Sequence, residues 1–302
     1  MIKTLTNIYS PAEKFSFSLI LQVTKFRITI LVAFTTALGY ILASNNIDLK
    51  MLFTSAGIFL LACGASAINH IQEKETDAIM HRTQHRPIPA GKLTVFQVKI
   101  ISAVTIFTGC IIMVFGSTVP ALIIGIFNLL FYNIIYLRLK RKTTLAVIPG
   151  ALVGALPPIA GWIAAGGNIF DIKLLTLVAF FFVWQIPHFW LLILIFGDDY
   201  KKAGLPVLSE IFNENIIQKI TYSWILLTIL ISFTLFLSGL IYYNISVLFF
   251  YFINFLLLII STKLFMKNTD NVKIYYNQFI TLNTYTLLII LLLFADRTIK
   301  IV

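Results

Sequence analysis

Long apolar runs, separated by short polar segments, make up most of this chain. Nine runs of about 20 residues can be followed, at residues 27–44, 51–69, 97–116, 119–137, 144–166, 172–196, 218–239, 244–264 and 277–295. A run of that length crosses the hydrocarbon core as a helix, because every backbone polar group in lipid must be bonded within its segment. The pattern predicts an all-α, polytopic membrane protein of about nine transmembrane helices.

The connections between the runs contain no polar linker at which a domain boundary could fall. Three are very short, near Ser117, Gly167 and Tyr242, and they predict helical hairpins. We therefore expect residues 1–302 to form one transmembrane domain, in which residues 1–26 are a cytoplasmic N-terminal segment without a cleavable signal. Segment 15–23 is apolar but too short to span, so we expect it to lie along the membrane interface.

Composition supports this interpretation and excludes other classes of protein. Hydrophobic residues make up 59% of the chain and charged residues only 12%, about half of what a soluble domain carries. The net charge of +11 does not indicate a nucleic-acid partner, because no basic stripe lies on a soluble fold. Cys63 and Cys110 both fall in apolar runs, so neither a disulfide framework nor a CxxC metal pair is predicted.

The basic residues predict how the chain is oriented. With nine spans, 19 of the 23 lysines and arginines fall on one side, and only Lys50, Lys173, Arg297 and Lys300 on the other. The positive-inside rule then places the N-terminus and the larger loops in the cytoplasm and the C-terminus outside. For a bacterial-type cell this predicts a multi-pass protein of the inner (cytoplasmic) membrane.

The segment after the second run carries the most chemistry. Asn69, Glu73 and Asp77 are spaced i, i+4 and i+8, which places them on one face of a helix. Oxygen ligands at that spacing suit Mg²⁺, which binds one or two carboxylates together with substrate phosphates. Arg82 and Arg86 follow, and guanidinium groups suit phosphate recognition. The alternative is a solvated juxtamembrane helix with ordinary alternating charge.

The loop after the fourth run, residues 136–142, is a second basic cluster. Arg138, Lys140, Arg141 and Lys142 either anchor a helix end at the membrane surface or form a diphosphate clamp that faces the acidic helix. The sequence alone leaves both interpretations open.

The fifth run is rich in glycine and proline. Gly150 and Gly154 form a GxxxG motif that permits close packing. Pro157 and Pro158 are predicted to break or kink the helix, because neither nitrogen can donate a hydrogen bond. Such a kink serves packing or lines a substrate cavity, and the sequence does not decide between these two roles.

The sixth run ends in Trp184-Gln185-Ile186-Pro187-His188-Phe189-Trp190, followed by Asp198 and Asp199. A lone histidine in an apolar segment is more often a hydrogen-bonded structural residue than a ligand. The proline, the two tryptophans and the carboxylate pair nearby favour a role for His188 in binding.

Together these segments resemble the UbiA superfamily of intramembrane prenyltransferases, and within it the haem-prenylating branch. The resemblance covers nearly the whole chain and rests on an ordered series of motifs: Asn69-x3-Glu73-x3-Asp77 with Met80, Arg82-Thr83, Arg86-Pro87 and Gly91; Lys140-Arg141-x-Thr143; Gly154-Ala155-x-Pro157-Pro158-x2-Gly161-Trp162; Trp184-Gln185-x-Pro187-His188-Phe189-Trp190; and Asp199-Tyr200-x2-Ala203-Gly204. The chain departs from the general pattern at Glu73 and His188, each of which replaces Asp, and at Phe26, which replaces Pro. The histidine is typical of the haem-prenylating branch and disfavours a quinone-type acceptor.

The resemblance implies a cavity open to the cytoplasmic side, in which farnesyl diphosphate donates its chain to a vinyl group of haem b. Water is added and haem O is formed, a step towards the haem A of terminal oxidases. The implied catalytic residues are Asn69, Glu73, Asp77, Lys140 and Asp199, with Mg²⁺ held by the first three. The implied diphosphate-binding residues are Arg82, Arg86, Lys140 and Arg141, and the implied haem-binding residues are His188, Trp184 and Tyr200.

Other expectations concern the allylic cation, the partners and the rival functions. Tyr132, Tyr136 and Phe189 are candidates for stabilising an allylic cation through their ring faces. The expected partners are farnesyl diphosphate, haem b and the lipid bilayer, with haem A synthase and oxidase assembly proteins as candidate protein partners and no nucleic acid. The rival functions are prenylation of a quinone precursor or chlorophyll-like ring, and a transporter or haem-binding scaffold. A transporter is disfavoured because the Pro-Pro break has no counterpart in another half of the chain.

Overall fold

The computed structural model describes residues 16–266 and 272–301, without the side chains of residues 266 and 299–301. Within them the regular structure is helical: α1 Phe17–Val23, α2 Phe26–Ser44, α3 Leu49–Gln72, α4 Lys74–Ile79, α5 Val95–Gly116, α6 Val119–Leu130, α7 Leu137–Lys140, α8 Val147–Ala164, α9 Ile172–Lys202, α10 Glu214–Leu237, α11 Asn244–Met266 and α12 Val272–Ile301. A π-helical turn, Phe131–Tyr136, joins α6 to α7, and short 3₁₀ turns occupy Thr144–Ala146 and Leu208–Glu210. Four residues used for the predicted orientation (Lys3, Lys14, Lys267 and the Lys300 side chain) lie outside this description.

Nine helical segments of the described chain are long and apolar enough to cross a membrane, which confirms the predicted number. Their first turns are closed by side chains that accept backbone N–H groups, as at Asp48, Thr94, Thr118 and Asn213. Such caps satisfy donors that helix ends leave free. The largest boundary errors are in α12, which runs from Val272 to Ile301 rather than over 277–295, and in α9, which continues to Lys202 through a non-helical residue at Phe196. The last charged residues of α9 are therefore helical rather than in a loop.

The helices pack as one bundle with extensive contacts between α3 and α5, between α2 and α8, and from α9 to α8, α10 and α12. The buried core runs through these interfaces and includes Leu38, Trp162, Phe180 and Phe250. Many large apolar side chains point outwards, among them Phe115, which is 86% exposed. A soluble protein rarely exposes so much apolar surface, whereas a lipid bilayer covers it.

The proline pair does not break its helix. α8 continues through Pro157 and Pro158 to Ala164. Of the two predicted outcomes, a break or a kink, the break does not occur. Both prolines are buried, and α2 packs tightly against this part of α8. A Cβ at Gly39 of α2 would lie 2.0 Å from the carbonyl oxygen of Pro158. This close contact with α2 supports a packing role for the proline-containing part of α8.

The short helix α1 is partly covered by protein. Leu19 and Val23 are buried in a small cluster with Ala67 and Val98 from α3 and α5, while Phe17 is 70% exposed. One face of the segment predicted to lie along the membrane interface therefore packs against the bundle, and the opposite face is exposed.

Candidate active site

The acidic face of the site is built at the junction of α3 and α4. Glu73 separates the two helices, yet its N–H donates to the carbonyl of Asn69 (2.9 Å) and its own carbonyl accepts from the N–H of Asp77 (2.8 Å). Helical hydrogen bonding therefore continues across the junction, and the three side chains share one buried face, as their spacing predicts. They are 1%, 6% and 0% exposed for Asn69, Glu73 and Asp77, respectively.

Each of these three side chains accepts a hydrogen bond from a lysine or an arginine, and Asn69 also donates one to Glu73. The Lys25 Nζ donates to Asn69 Oδ1 (2.5 Å), and Asn69 Nδ2 donates to Glu73 Oε2 (2.8 Å). Lys140 Nζ donates to the other carboxylate oxygen of Glu73 (2.7 Å). Arg86 Nη1 donates to both oxygens of Asp77, at 2.8 and 2.7 Å. The acidic face is therefore charge-compensated from three different parts of the chain.

Electrostatics keep Glu73 ionised. Burial opposes its negative charge, but Lys140, Lys25 and the hydrogen bond from Asn69 outweigh that effect and lower the pKa of Glu73 to about 2. For Lys25, burial and the positive charge of Arg86 together lower the pKa to about 7, although Glu73 acts in the opposite direction. The Glu73 carboxylate is thus held in its charged form, while Lys25 loses its proton more readily than an exposed lysine.

A cavity of about 480 Å³ opens at this face. Its lining combines basic, acidic and aromatic side chains: Gln22, Lys25, Ile28, His70, Glu73, Arg82, His85, Arg86, Pro87, Tyr132, Tyr136, Leu137 and Lys140. Basic groups outnumber acidic ones around it, so an anionic group fits this end. The cavity provides a polar end beside an aromatic wall.

The aromatic wall comes from the π-helical turn. Tyr132 and Tyr136 stack with ring centroids 5.5 Å apart, and Phe189 of α9 lies 6.5 Å from Tyr136. A π turn changes the helical register locally and is frequent at functional sites. The structure thus brings together the three aromatic residues that the sequence suggested for cation stabilisation.

A second group of predicted residues meets beside Lys140. The backbone N–H of Arg82 donates to Asp199 Oδ2 (3.1 Å), and its guanidinium lies over the Phe196 ring and reaches the Tyr200 hydroxyl (3.5 Å). Lys140 Nζ lies 5.7 Å from the Tyr200 ring centroid. Tyr200, predicted to bind haem, therefore lies with the diphosphate-binding candidates and not in the Trp184–His188 group.

Arg141 lies apart from the main cavity. Its side chain is exposed, and its Nη2 donates to the carbonyl of Gln72 at the end of α3. It lines a second cleft of about 310 Å³ with Lys142, Lys201 and Glu210. The structure separates Arg141 from Lys140, although the two are adjacent in sequence.

His188 lies in an aromatic surrounding between α9 and α12. Its ring centroid is 5.2 Å from that of Trp184 and 4.8 Å from that of Phe279. Its Nδ1 is 2.9 Å from Asn283 Oδ1. The sequence prediction paired His188 with Trp184 correctly but missed Phe279 and Asn283, which are 91 and 95 positions away. A polar residue within the last apolar run was the signal for Asn283.

Two further cavity residues were missed. Lys25 was counted only as a topological charge, although it stands in the motif Thr24-Lys25-Phe26-Arg27. His70 is 2% exposed and lines the cavity, and neither of its ring nitrogens has a hydrogen-bond partner among the described residues. Its position next to Asn69 could have drawn attention to it.

The donor set suits Mg²⁺ chemically. The described residues contain no group of three or more His, Cys, Asp or Glu side chains that could hold a metal. Asn69, Glu73 and Asp77 offer an amide oxygen and two carboxylates, all buried and in register. Mg²⁺ commonly uses one or two carboxylates and takes further ligands from water and substrate phosphates, so this smaller set fits.

Comparison with known proteins agrees with this geometry. A model of the UbiA prenyltransferase family matches residues 32–293. The chain belongs to the UbiA prenyltransferase family.

Several bacterial relatives of this UbiA chain carry the name protoheme IX farnesyltransferase. The protein of Cytophaga hutchinsonii is 41% identical over 62% of this chain and 66% of its own length. The protein of Geobacter sulfurreducens is 37% identical over 61% of this chain and 67% of its own length. These two alignments span about two thirds of each relative, whereas the Aquifex aeolicus protein is 32% identical over 87% of this chain and 90% of its own.

Solved structures confirm the UbiA fold. A digeranylgeranylglyceryl phosphate synthase matches with a TM-score of 0.74 and 18% identity over 93% of this chain and 98% of the other. A UbiA homolog from Archaeoglobus fulgidus bound to GPP and Mg²⁺ matches with a TM-score of 0.66 and 15% identity, over 93% of this chain and 99% of the other. At these identities the likeness concerns the fold alone.

Proposed function

We propose that this protein transfers the farnesyl group of farnesyl diphosphate to a vinyl group of haem b, forming haem O and releasing diphosphate. One observation carries the proposal: a buried amide-and-carboxylate face, Asn69, Glu73 and Asp77, lies beside a basic cavity with an aromatic wall. That arrangement suits an allylic diphosphate. The name shared by the bacterial relatives supports haem as the acceptor.

The basic residues act on the leaving group. As the allylic C–O bond breaks, negative charge collects on the diphosphate oxygens. Lys140, Arg82 and Arg86 line the cavity and offer preformed cationic donors, which is the usual source of stabilisation for such charge. Arg141 lines the neighbouring cleft, so in this proposal it contributes to binding from outside the main cavity.

The acidic face provides a site for Mg²⁺. Asn69, Glu73 and Asp77 would hold the ion, and when bound it supplies Lewis-acid stabilisation of the diphosphate. Lys140 and Arg86 now pair with these carboxylates at 2.7 Å. They are therefore within reach of both the carboxylates and any diphosphate that the carboxylates help to bind. Asp199 acts by fixing the backbone of Arg82.

The aromatic wall serves the organic part of the reaction. The faces of Tyr132, Tyr136 and Phe189 can stabilise positive charge on the farnesyl carbon while water is kept away from it. The vinyl π electrons of haem then form the new carbon–carbon bond. Water captures the resulting cation and a proton is released, so that one water is consumed for each diphosphate that leaves.

The membrane arrangement follows from the charge distribution. Arg82 and Arg86 from the segment between α4 and α5, and Lys140 at the end of α7, line the cavity. The positive-inside rule therefore orients the cavity and the N-terminus towards the cytoplasm and the C-terminus outwards. In this proposal residues 1–302 are one domain of the inner membrane. Haem A synthase and oxidase assembly proteins stay predicted partners.

The test is turnover of the purified protein in lipid with haem b and farnesyl diphosphate, with and without Mg²⁺, and with products identified by mass. A Mg²⁺-dependent hydroxyfarnesyl adduct of haem is expected. If haem binds but no adduct forms, haem is not the acceptor, and a panel of aromatic acceptors with the same donor would then identify another prenyl transfer.

A further inference from the structure

The hydrogen bond between His188 and Asn283 determines which nitrogen of the imidazole carries the proton. Asn283 Nδ2 donates to the carbonyl oxygen of Phe279 at 2.6 Å, one turn earlier on α12. The amide is thereby oriented with Oδ1 towards His188, and a carbonyl oxygen can only accept. The Nδ1 atom, 2.9 Å away, must therefore be the N–H donor.

This tautomer leaves Nε2 as a bare lone pair. The Nδ1 contact with Asn283 is the only hydrogen bond of this imidazole among the described residues, so Nε2 has no partner there, and His188 is only partly buried. Around it lie the rings of Trp184, Phe189 and Phe279, with centroids 4.8 to 5.6 Å from that of the imidazole. The phenylalanine rings have no hydrogen-bond donor, and the indole N–H of Trp184 makes no hydrogen bond to any described residue, so it does not occupy the lone pair.

We propose that Asn283 is a positioning residue that holds His188 as the Nδ1–H tautomer, so that Nε2 coordinates the iron of a metalloporphyrin acceptor. A metal-ligating histidine typically donates its other N–H to a carbonyl or carboxylate, which fixes the ring and raises its basicity. A neutral Nε2 cannot donate to a porphyrin propionate. The contact is therefore with the iron. This inference rests on the proposed haem acceptor.

Binding of two porphyrins separates the possible contacts. Iron protoporphyrin IX and metal-free protoporphyrin IX are titrated into the full-length protein in nanodiscs without farnesyl diphosphate. His188→Ala is expected to weaken binding of the iron porphyrin by about tenfold or more and to leave metal-free porphyrin unchanged. Added imidazole should restore the histidine-ligated spectrum. The control is His81→Ala, which removes an exposed histidine.

The positioning role of Asn283 is tested by the iron–histidine stretching frequency and by the affinity for the iron porphyrin. In the ferrous complex, Asn283→Leu is expected to lower the iron–histidine stretching frequency in resonance Raman spectra and to weaken iron-porphyrin binding by about tenfold. Asn283→Asp should raise that frequency, because a carboxylate draws the Nδ1 proton more strongly. Asn277→Leu, at an exposed position of the same helix, should change neither quantity.

Three results would overturn the inference. If His188→Ala weakens both porphyrins equally, the residue contacts the periphery of the ring. If His188→Ala keeps the histidine-ligated spectrum while His70→Ala loses it, the ligand is His70. If Asn283→Leu and Asn283→Asp leave the stretching frequency unchanged, Asn283 does not position the ligand. A wild-type protein that shows the iron signature but forms no haem adduct would contradict the proposed reaction and leave this inference standing.

Discussion

Three cations, Lys25, Arg86 and Lys140, compensate the buried acidic face, and each comes from a different segment of the chain. Leaving a buried charge without its partner costs far more than a surface pair is worth. These contacts therefore hold the loop between α4 and α5 against α4, and the end of α7 against the junction of α3 and α4. The same cations line the cavity, so structure and proposed catalysis depend on the same side chains.

Replacing Lys140 by methionine keeps most of the side-chain volume but removes the ammonium group. We expect the turnover number for farnesyl transfer to fall by about 100-fold or more, since a preformed cation near the leaving group is lost. Lys142→Met is the matched control, because Lys142 is exposed two residues later. An equal loss in both variants would mean that only the general charge of the loop matters.

Asp77→Ala tests the proposed metal site. We expect the Mg²⁺ concentration for half-maximal turnover to rise by about tenfold or more, because one carboxylate ligand is removed. Asp77→Asn, which keeps the shape and a partner for Arg86, should behave similarly. Glu75→Ala, an exposed carboxylate on the same short helix, should not. Wild-type turnover in Asp77→Ala would show that the metal assignment is wrong.

Among the elements, α2 and α8 make one of the closest helix contacts. A Cβ at Gly161 of α8 would lie 1.9 Å from the carbonyl oxygen of Thr36 on α2. Without a hydrophobic force between helices in lipid, close van der Waals packing of small residues holds them together. The proline-containing helix α8 therefore packs against α2 at a distance that is possible only because residue 161 is glycine.

Gly161→Leu is expected to separate α2 from α8 and to lower the melting temperature in detergent by several degrees. Overpacking of this kind costs about 1–3 kcal/mol or more. Gly197→Ala is the control, because a Cβ at Gly197 meets no atom within 4 Å. Thermal unfolding followed by tryptophan fluorescence measures both variants. Equal melting temperatures for Gly161→Leu and the wild type would contradict the packing argument.

Across the whole molecule, the end opposite the cavity is tied together by α12. Asp296 is fully buried and accepts the N–H groups of Tyr242 (2.9 Å) and Tyr243 (3.1 Å). Its neighbour Arg297 donates to Asn45 (2.7 Å), in the turn between α2 and α3. The last helix thereby joins the turn after α10 to the first hairpin of the bundle.

Asp296→Ala leaves two backbone donors without their acceptor, each at a cost of about 1–3 kcal/mol. We expect a lower melting temperature with an unchanged KM for farnesyl diphosphate, because the contacts of Asp296 lie at the end of the bundle opposite the cavity. Thr298→Ala, one residue beyond Arg297, is the control. A raised KM without loss of stability would indicate that the two ends of the bundle are coupled.

The orientation of the molecule is tested with single cysteines in a protein whose two native cysteines are replaced by serine. Asn46→Cys, in the exposed turn before α3, is expected to react with a membrane-impermeant maleimide in intact cells. Glu75→Cys, exposed near the cavity, should react only in inverted vesicles. The reverse pattern would overturn the positive-inside assignment.

The length and composition of the apolar runs sufficed to predict nine membrane-crossing helices, because the hydrocarbon core imposes a length and internal hydrogen bonding on every span. Local spacing likewise predicted that Asn69, Glu73 and Asp77 share a face, since helical periodicity is a property of neighbours. Tertiary packing decided the rest. It brought Lys25 and Lys140 to the acidic face, separated Arg141 from Lys140, placed Tyr200 beside Arg82 and Lys140 and kept α8 helical through its prolines. It also paired His188 with Asn283, because contacts between distant segments depend on how helices pack, which no local pattern encodes.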